Sequence, residues 1–193
     1  MSYFPALIKL EDKKILVIGG GKIATDKISH ILDFTKNITI IAPKINNKVE
    51  DFIKTYSLEF KKREYKDGDI DGSDLVVVAT DDLKLQKRVF LECEKRNILC
   101  NSVDSIDYCN FIFPSYIKRG DLVISFSTSG SSPSLSKYLR RAFERLLPKD
   151  IESFLQELKR VRKTHPKGKE RQKILDKKAK EYIDKFFLKD KNV

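Results

Sequence analysis

The chain is poor in the residues that build metal and disulfide frameworks. It has two histidines, His30 and His165, and each stands alone in its segment, so no histidine-based metal site can be argued. Its three cysteines, Cys93, Cys100 and Cys109, are odd in number and lack C-x-x-C spacing. They read as ordinary packed thiols, and no metal ligand is expected. No apolar run approaches the ~20 residues needed to cross a bilayer. The opening Met1-Ser-Tyr-Phe-Pro5 lacks the basic stretch and long apolar stretch of a secretory signal. These absences predict a cytoplasmic protein with no membrane partner. There is no internal repeat and no long linker.

What is present is a chain of 193 residues, 40% hydrophobic, with a net charge of +11. That length accommodates one full domain and a smaller one, and that apolar content excludes global disorder. The positive excess fits either a solvated lysine-rich surface or attraction of a polyanion: nucleic acid, anionic lipid or a multiply carboxylated small molecule. Charge alone does not choose between them.

Lys14-Ile-Leu-Val-Ile18 is a short β-branched run of the kind buried on both faces of a parallel sheet. Gly19-Gly20-Gly21 interrupts it, and a helical pattern follows to about Phe34. A second strand is expected over Asn37–Ala42, a helix around Lys48–Tyr56 and a weaker strand near Leu58–Lys62. Leu75-Val-Val-Val-Ala79 is the strongest strand, followed by a helix through about Lys95 and a strand over Ile98–Val103. This alternation predicts an α/β domain of Rossmann type with a mostly parallel sheet. Beyond Phe113-Pro114 the rhythm changes. One further strand is expected over Asp121–Ser127, then a helix from about Ser134 to Leu147 with Ser132 as N-cap and Pro133 as first helical residue. The Lys- and Glu-rich remainder is expected to be helical, broken near His165-Pro-Lys-Gly168. The expected division is 1–113, 114–149 and 150–193.

Three segments carry candidate chemistry. Gly19-Gly-Gly-Lys-Ile-Ala24 matches G-x-G-x-x-A between a strand and a helix. Gly19 suits the tight turn, Gly21 admits a pyrophosphate and Ala24 permits close packing; the amides of Lys22 and Ile23 open the helix. The acidic residue expected at the end of the second strand is replaced by Ala42-Pro43-Lys44, so NAD against NADP stays open there. Thr80, Asp81 and Asp104 also follow strand ends, where ligands of open parallel sheets bind. Asp81 and Asp82 fit either a helix cap or cofactor contact. A carboxylate such as Asp104 beside a nicotinamide can take a proton as hydride leaves a substrate. Last, Ser127-Thr-Ser129 precedes a helix on which Lys137, Arg140 and Arg141 share one face, suited to a carboxylate or phosphate or simply solvated.

Together these residues resemble the precorrin-2 dehydrogenase and ferrochelatase part of siroheme synthase. The resemblance runs through Phe4-Pro5, Leu16–Gly21 with Ala24 and Lys27, Ala79–Asp82, Asn101–Asp104, Cys109–Pro114, and Ser127–Pro133 with Leu139-Arg140, nearly the first 150 residues. It implies NAD-dependent oxidation of precorrin-2 to sirohydrochlorin, with iron insertion as a second activity of some members. It also implies a central dimerisation region, a small helical C-terminal domain and a homodimer. Asp104 matches the family's proposed general base, and Lys22-Ile23 and Pro43-Lys44 match positions that contact NAD. The tetrapyrrole is a polycarboxylate, which gives the basic charge a purpose without nucleic acid. Two departures stand out: Ser129 replaces a usual glycine, and Thr128 stands where some members carry serine. An unrelated NAD(P)-dependent oxidoreductase and a nucleotide-sensing module are the competing readings.

Overall fold

The structure, a computed structural model, describes residues 3–103 and 105–188, with side chains to Phe186. It divides into two compact units, one ending at Phe113 and the other beginning at Pro114.

The first unit is a five-stranded parallel sheet. Its strands are β1 (Ile15–Ile18), β2 (Ile38–Ile41), β3 (Glu59–Lys61), β4 (Leu75–Val78) and β5 (Leu99–Ser102), in the order β3-β2-β1-β4-β5. Helices α1 (Lys22–Leu32), α2 (Asn47–Tyr56) and α3 (Leu83–Lys95) connect them. Every residue of β1 and β4 is buried, which is why both strands read as unbroken apolar runs and not as alternating ones. One sheet face carries Ile15, Val17 and Val77 against Ala24, Ile28 and Ile31 of α1 and Val49 of α2. The other carries Leu16, Ile18, Val76 and Val78 with Val89 and Cys93 of α3, Tyr65 and Ile70. The strand order reverses between β1 and β4, which places the topological switch point beside the glycine turn.

The outer edge of β5 is closed by a side chain. Asn110 Oδ1 accepts from the Cys100 amide at 2.7 Å, while its Nδ2 donates to the Ile98 carbonyl at 3.2 Å and to Glu94 Oε1 at 2.6 Å. One amide side chain thus satisfies two of the backbone groups another strand would take. A second local anchor holds the turn after β3. There Asp69 accepts both Nη atoms of Arg63 at 2.6 and 2.7 Å and the Lys66 amide at 2.7 Å. The Arg63 hydrogen bonds, joined by the Lys66 amide, hold the Asp69 carboxyl below its ordinary value. A depressed carboxyl stabilises the fold above its unfolded pKa and loses that effect as pH falls through its folded value. Asp69→Asn is therefore expected to flatten the acid limb of the stability curve between about pH 5 and pH 2. Thermal melts across that range check it; an unchanged acid limb contradicts it.

The second unit begins with a hairpin, β6 (Ser115–Arg119) and β7 (Leu122–Phe126), paired antiparallel. The sequence reading expected a single strand here. Only Ile117 of β6 is buried, and the half-exposed remainder shows no clear alternation. Gly120, at φ +56°, makes the tight connection. Helix α4 (Pro133–Leu146) packs on the hairpin through Phe143 against Phe126, with ring centres 5.2 Å apart. Helices α5 (Ile151–Thr164) and α6 (Lys169–Ile183) follow, with the break at 165–168 where expected. Phe154 stacks on Tyr182 at 3.9 Å. Burial and the hydrogen bond to Asp150 push the Tyr182 hydroxyl up to about 12. No helix among the described residues is long and apolar enough to cross a membrane.

Candidate cofactor site

The turn after β1 is fixed by its own backbone. The Gly19 amide donates to Ile41 O at 2.9 Å, the Ala79 amide to Ile18 O at 2.7 Å and the Asn46 amide to Gly20 O at 2.9 Å. Gly19 sits at φ +119°, and a Cβ there would lie 2.2 Å from Ala79 O. A Cβ on Gly20 would lie 2.4 Å from Lys44 O. Gly21 differs: nothing lies within 4 Å of the position its Cβ would take. The first two glycines admit the backbone that follows β4 and β2, and the third leaves open space.

The helix behind this turn leaves its first amides open. Helix α1 has no side-chain cap and no acidic residue in its first turn, whereas Asn46, Asp82 and Ser132 cap α2, α3 and α4. The amides of Lys22, Ile23 and Ala24 precede the first i→i−4 bond, which the Thr25 amide makes to Gly21 O. Ala24 is fully buried against the sheet, as a close helix contact requires. Open space at Gly21 beside uncapped amides fits a dinucleotide pyrophosphate.

A cleft of about 470 Å³ extends from this turn along the carboxyl ends of β1, β2 and β4. Gly19, Pro43 and Thr80 line it. Lys44 is exposed, with its carbonyl facing Gly20. The two acidic candidates after β4 separate. Asp82 Oδ1 accepts the Lys84 and Leu85 amides at 2.9 and 3.1 Å and caps α3, while Asp81 is exposed. The cleft also takes in Glu64, Tyr65 and Arg88, which the sequence reading missed. Glu64 and Tyr65 follow β3, so their position at a strand end was the available signal.

Asp104 lies outside the described residues. The chain on either side of it is tied by one thiol. Cys109 Sγ accepts the Ser102 amide at 3.2 Å and lies 3.1 Å from Ser102 O and 3.3 Å from Ser105 O. Burial keeps the Cys109 thiol above its ordinary value, against the opposing Ser102 amide bond. Cys93 and Cys100 are buried, and the neighbouring Cys93 thiol together with burial raises the Cys100 thiol. A short 3-10 helix, Ile106–Tyr108, follows the loop. The Lys27 ammonium lies 4.5 Å from the centre of the Phe113 ring.

The remaining candidates gather at the start of α4 in the second unit. Thr128 Oγ1 accepts the Ser132 amide at 2.9 Å, and Ser127 Oγ the Ser129 amide at 3.1 Å. Ser129 adopts φ +51°, the left-handed region that glycine occupies without strain. Ser132 caps the helix by accepting from Leu135, and Pro133 begins it, as expected. Arg140 pairs with Glu144 at 2.7 Å, and Lys137 is exposed.

Comparison with known proteins agrees with this geometry. Residues 6–115 match a family described as "Putative NAD(P)-binding". The siroheme synthase of Photorhabdus laumondii is 34% identical over 151 residues, 78% of this chain and 32% of that protein. Siroheme synthase 1 of Klebsiella pneumoniae is 36% identical over 151 residues, with the same coverage. The chain thus spans about a third of the length of these curated relatives. The solved structure named SirC, precorrin-2 dehydrogenase, superposes with a TM-score of 0.77 and 26% identity over 91% of this chain and 88% of that one. The sheet order, the glycine turn and these matches agree: the chain belongs to the NAD(P)-binding family and is similar to the matching part of siroheme synthases.

Proposed function

We propose that this chain oxidises precorrin-2 to sirohydrochlorin with NAD as hydride acceptor. The observation that carries the reading is the open, uncapped glycine turn in a chain whose likeness to a precorrin-2 dehydrogenase extends over nine-tenths of its length.

A bound nicotinamide supplies the two-electron acceptor for the hydride. The protein contributes position and proton management. The amides at the start of α1 hold the pyrophosphate, and Pro43 and Thr80 bound the adenosine side of the cleft. Oxidation removes one hydride and one proton from the tetrapyrrole, and Asp104 takes the proton. Ser127, Thr128, Ser129, Lys137 and Arg140 receive substrate carboxylates. The charge distribution supports that assignment: residues 114–193 hold 21 Lys and Arg against 10 Asp and Glu, while residues 1–113 hold 18 of each. The whole net charge of +11 therefore resides on the unit with the proposed substrate residues.

The working form is a homodimer joined through α4. Leu135, Tyr138, Phe143 and Leu146 of that helix are 50, 62, 45 and 62% exposed, an apolar stripe suited to a second copy. Tyr138→Asp combined with Leu146→Asp is expected to give monomers by sedimentation at micromolar concentration; a retained dimer removes α4 from the interface. The reaction is placed in the cytoplasm, where the three free thiols stay reduced.

The reading is tested by adding freshly prepared precorrin-2 and NAD to the protein without oxygen. NADH is expected to form with sirohydrochlorin, one for one. Bound NAD with no NADH formed refutes the enzyme and favours a nucleotide sensor.

A further inference from the structure

The glycine turn accounts for the pyrophosphate but not for the adenosine ribose. Strand β2 runs into Ala42-Pro43-Lys44, which offers no carboxylate to a ribose diol. Two carboxylates line the cleft, Asp82 and Glu64. Asp82 is engaged, since its Oδ1 accepts two amides at the start of α3.

Glu64 follows β3, the strand beside β2, and its neighbours are both anchored. Arg63 is forked onto Asp69 at 2.6 and 2.7 Å, and Tyr65 is buried with its hydroxyl on Glu92. Glu64 itself is exposed at the cleft, and no ion pair of its side chain is recorded among the described residues. The cations lining the same cleft are Lys84 and Arg88. Arg88 is held elsewhere, 3.4 Å from Asp67 and 5.6 Å from the centre of the Tyr65 ring.

We infer that Glu64 determines cofactor specificity, standing in from the neighbouring strand for the acid that β2 lacks. Its carboxylate accepts hydrogen bonds from the ribose hydroxyls of NAD, and its charge opposes the 2′-phosphate of NADP. The inference rests on the dinucleotide reading of the cleft proposed above.

Calorimetric titration of the full chain with NAD and with NADP, without substrate, tests it. The wild type is expected to bind NAD about tenfold or more tighter than NADP, a discrimination within reach of one charge-assisted hydrogen bond and one charge repulsion. Glu64→Gln is expected to narrow the ratio to within about threefold, and Glu64→Lys to invert it. Unchanged melting temperatures show that the variants fold. A wild type that prefers NADP, or a Glu64→Gln ratio equal to that of wild type, overturns the inference while leaving the cleft a dinucleotide site. Failure of both nucleotides to bind at millimolar concentration overturns the cofactor reading itself.

Discussion

Asp104→Asn is expected to lower kcat by about 10²–10⁴-fold, the range set by loss of one positioned general base. The dissociation constant of NAD is expected to stay within about twofold of wild type, because the contacts proposed for the nucleotide are those of the glycine turn and not of this carboxylate. The replacement keeps the size of the side chain and removes only its capacity to accept the proton. The flanking chain is anchored independently, through Cys109 to Ser102 and Ser105 and through Asn110 to the edge of β5, so the fold should survive. Anaerobic turnover with precorrin-2, read beside a nucleotide titration of the same preparation, separates chemistry from binding. Equal turnover in the variant removes Asp104 from the mechanism. Parallel loss of NAD affinity turns it into a cofactor contact.

The second large effect is a contrast between two glycines. Gly19→Ala combines a backbone at φ +119° with a Cβ 2.2 Å from a carbonyl oxygen of β4's end. The left-handed penalty and the collision together should destabilise the first unit by about 3–5 kcal/mol. Gly21→Val meets no protein atom within 4 Å of its Cβ, and the residue's φ of −86° is ordinary for any side chain. Its fold should be kept, while the branched side chain fills the pyrophosphate space and NAD affinity falls at least about tenfold. Thermal melting and calorimetry on the two proteins check the pair. A stable Gly19→Ala, or a Gly21→Val that binds NAD normally, contradicts the division of roles.

Much of the first unit is legible from residues alone because its strands are buried on both faces. Ile15–Ile18, ended by Gly19, and Leu75–Val78, preceded by Asp74, are each four consecutive apolar residues rich in β-branched side chains, the pattern of a buried parallel strand. The caps at Ser132 and Asp82 follow from side chains able to accept amides in the next turn. Local sequence could not divide the work of Asp81 and Asp82, which both satisfy that rule. It could not show β6 either, whose five residues bury only Ile117 and whose partner is set by the hairpin. The Asn110 clasp is a tertiary contact, with no signature in the order of residues. Glu64 escaped notice because β3 is short and half-exposed, so its strand end is a weaker signal than the ends of the fully buried β1 and β4.

The central claim is that the cleft and the loop after β5 together pass hydride from the tetrapyrrole to a nicotinamide. Precorrin-2 deuterated at the carbon that loses hydride, incubated anaerobically with the protein and NAD, tests this most directly. Deuterium should appear in the nicotinamide ring of the reduced product, in proportion to sirohydrochlorin formed. Sirohydrochlorin without labelled NADH would contradict direct transfer and the function proposed for this chain.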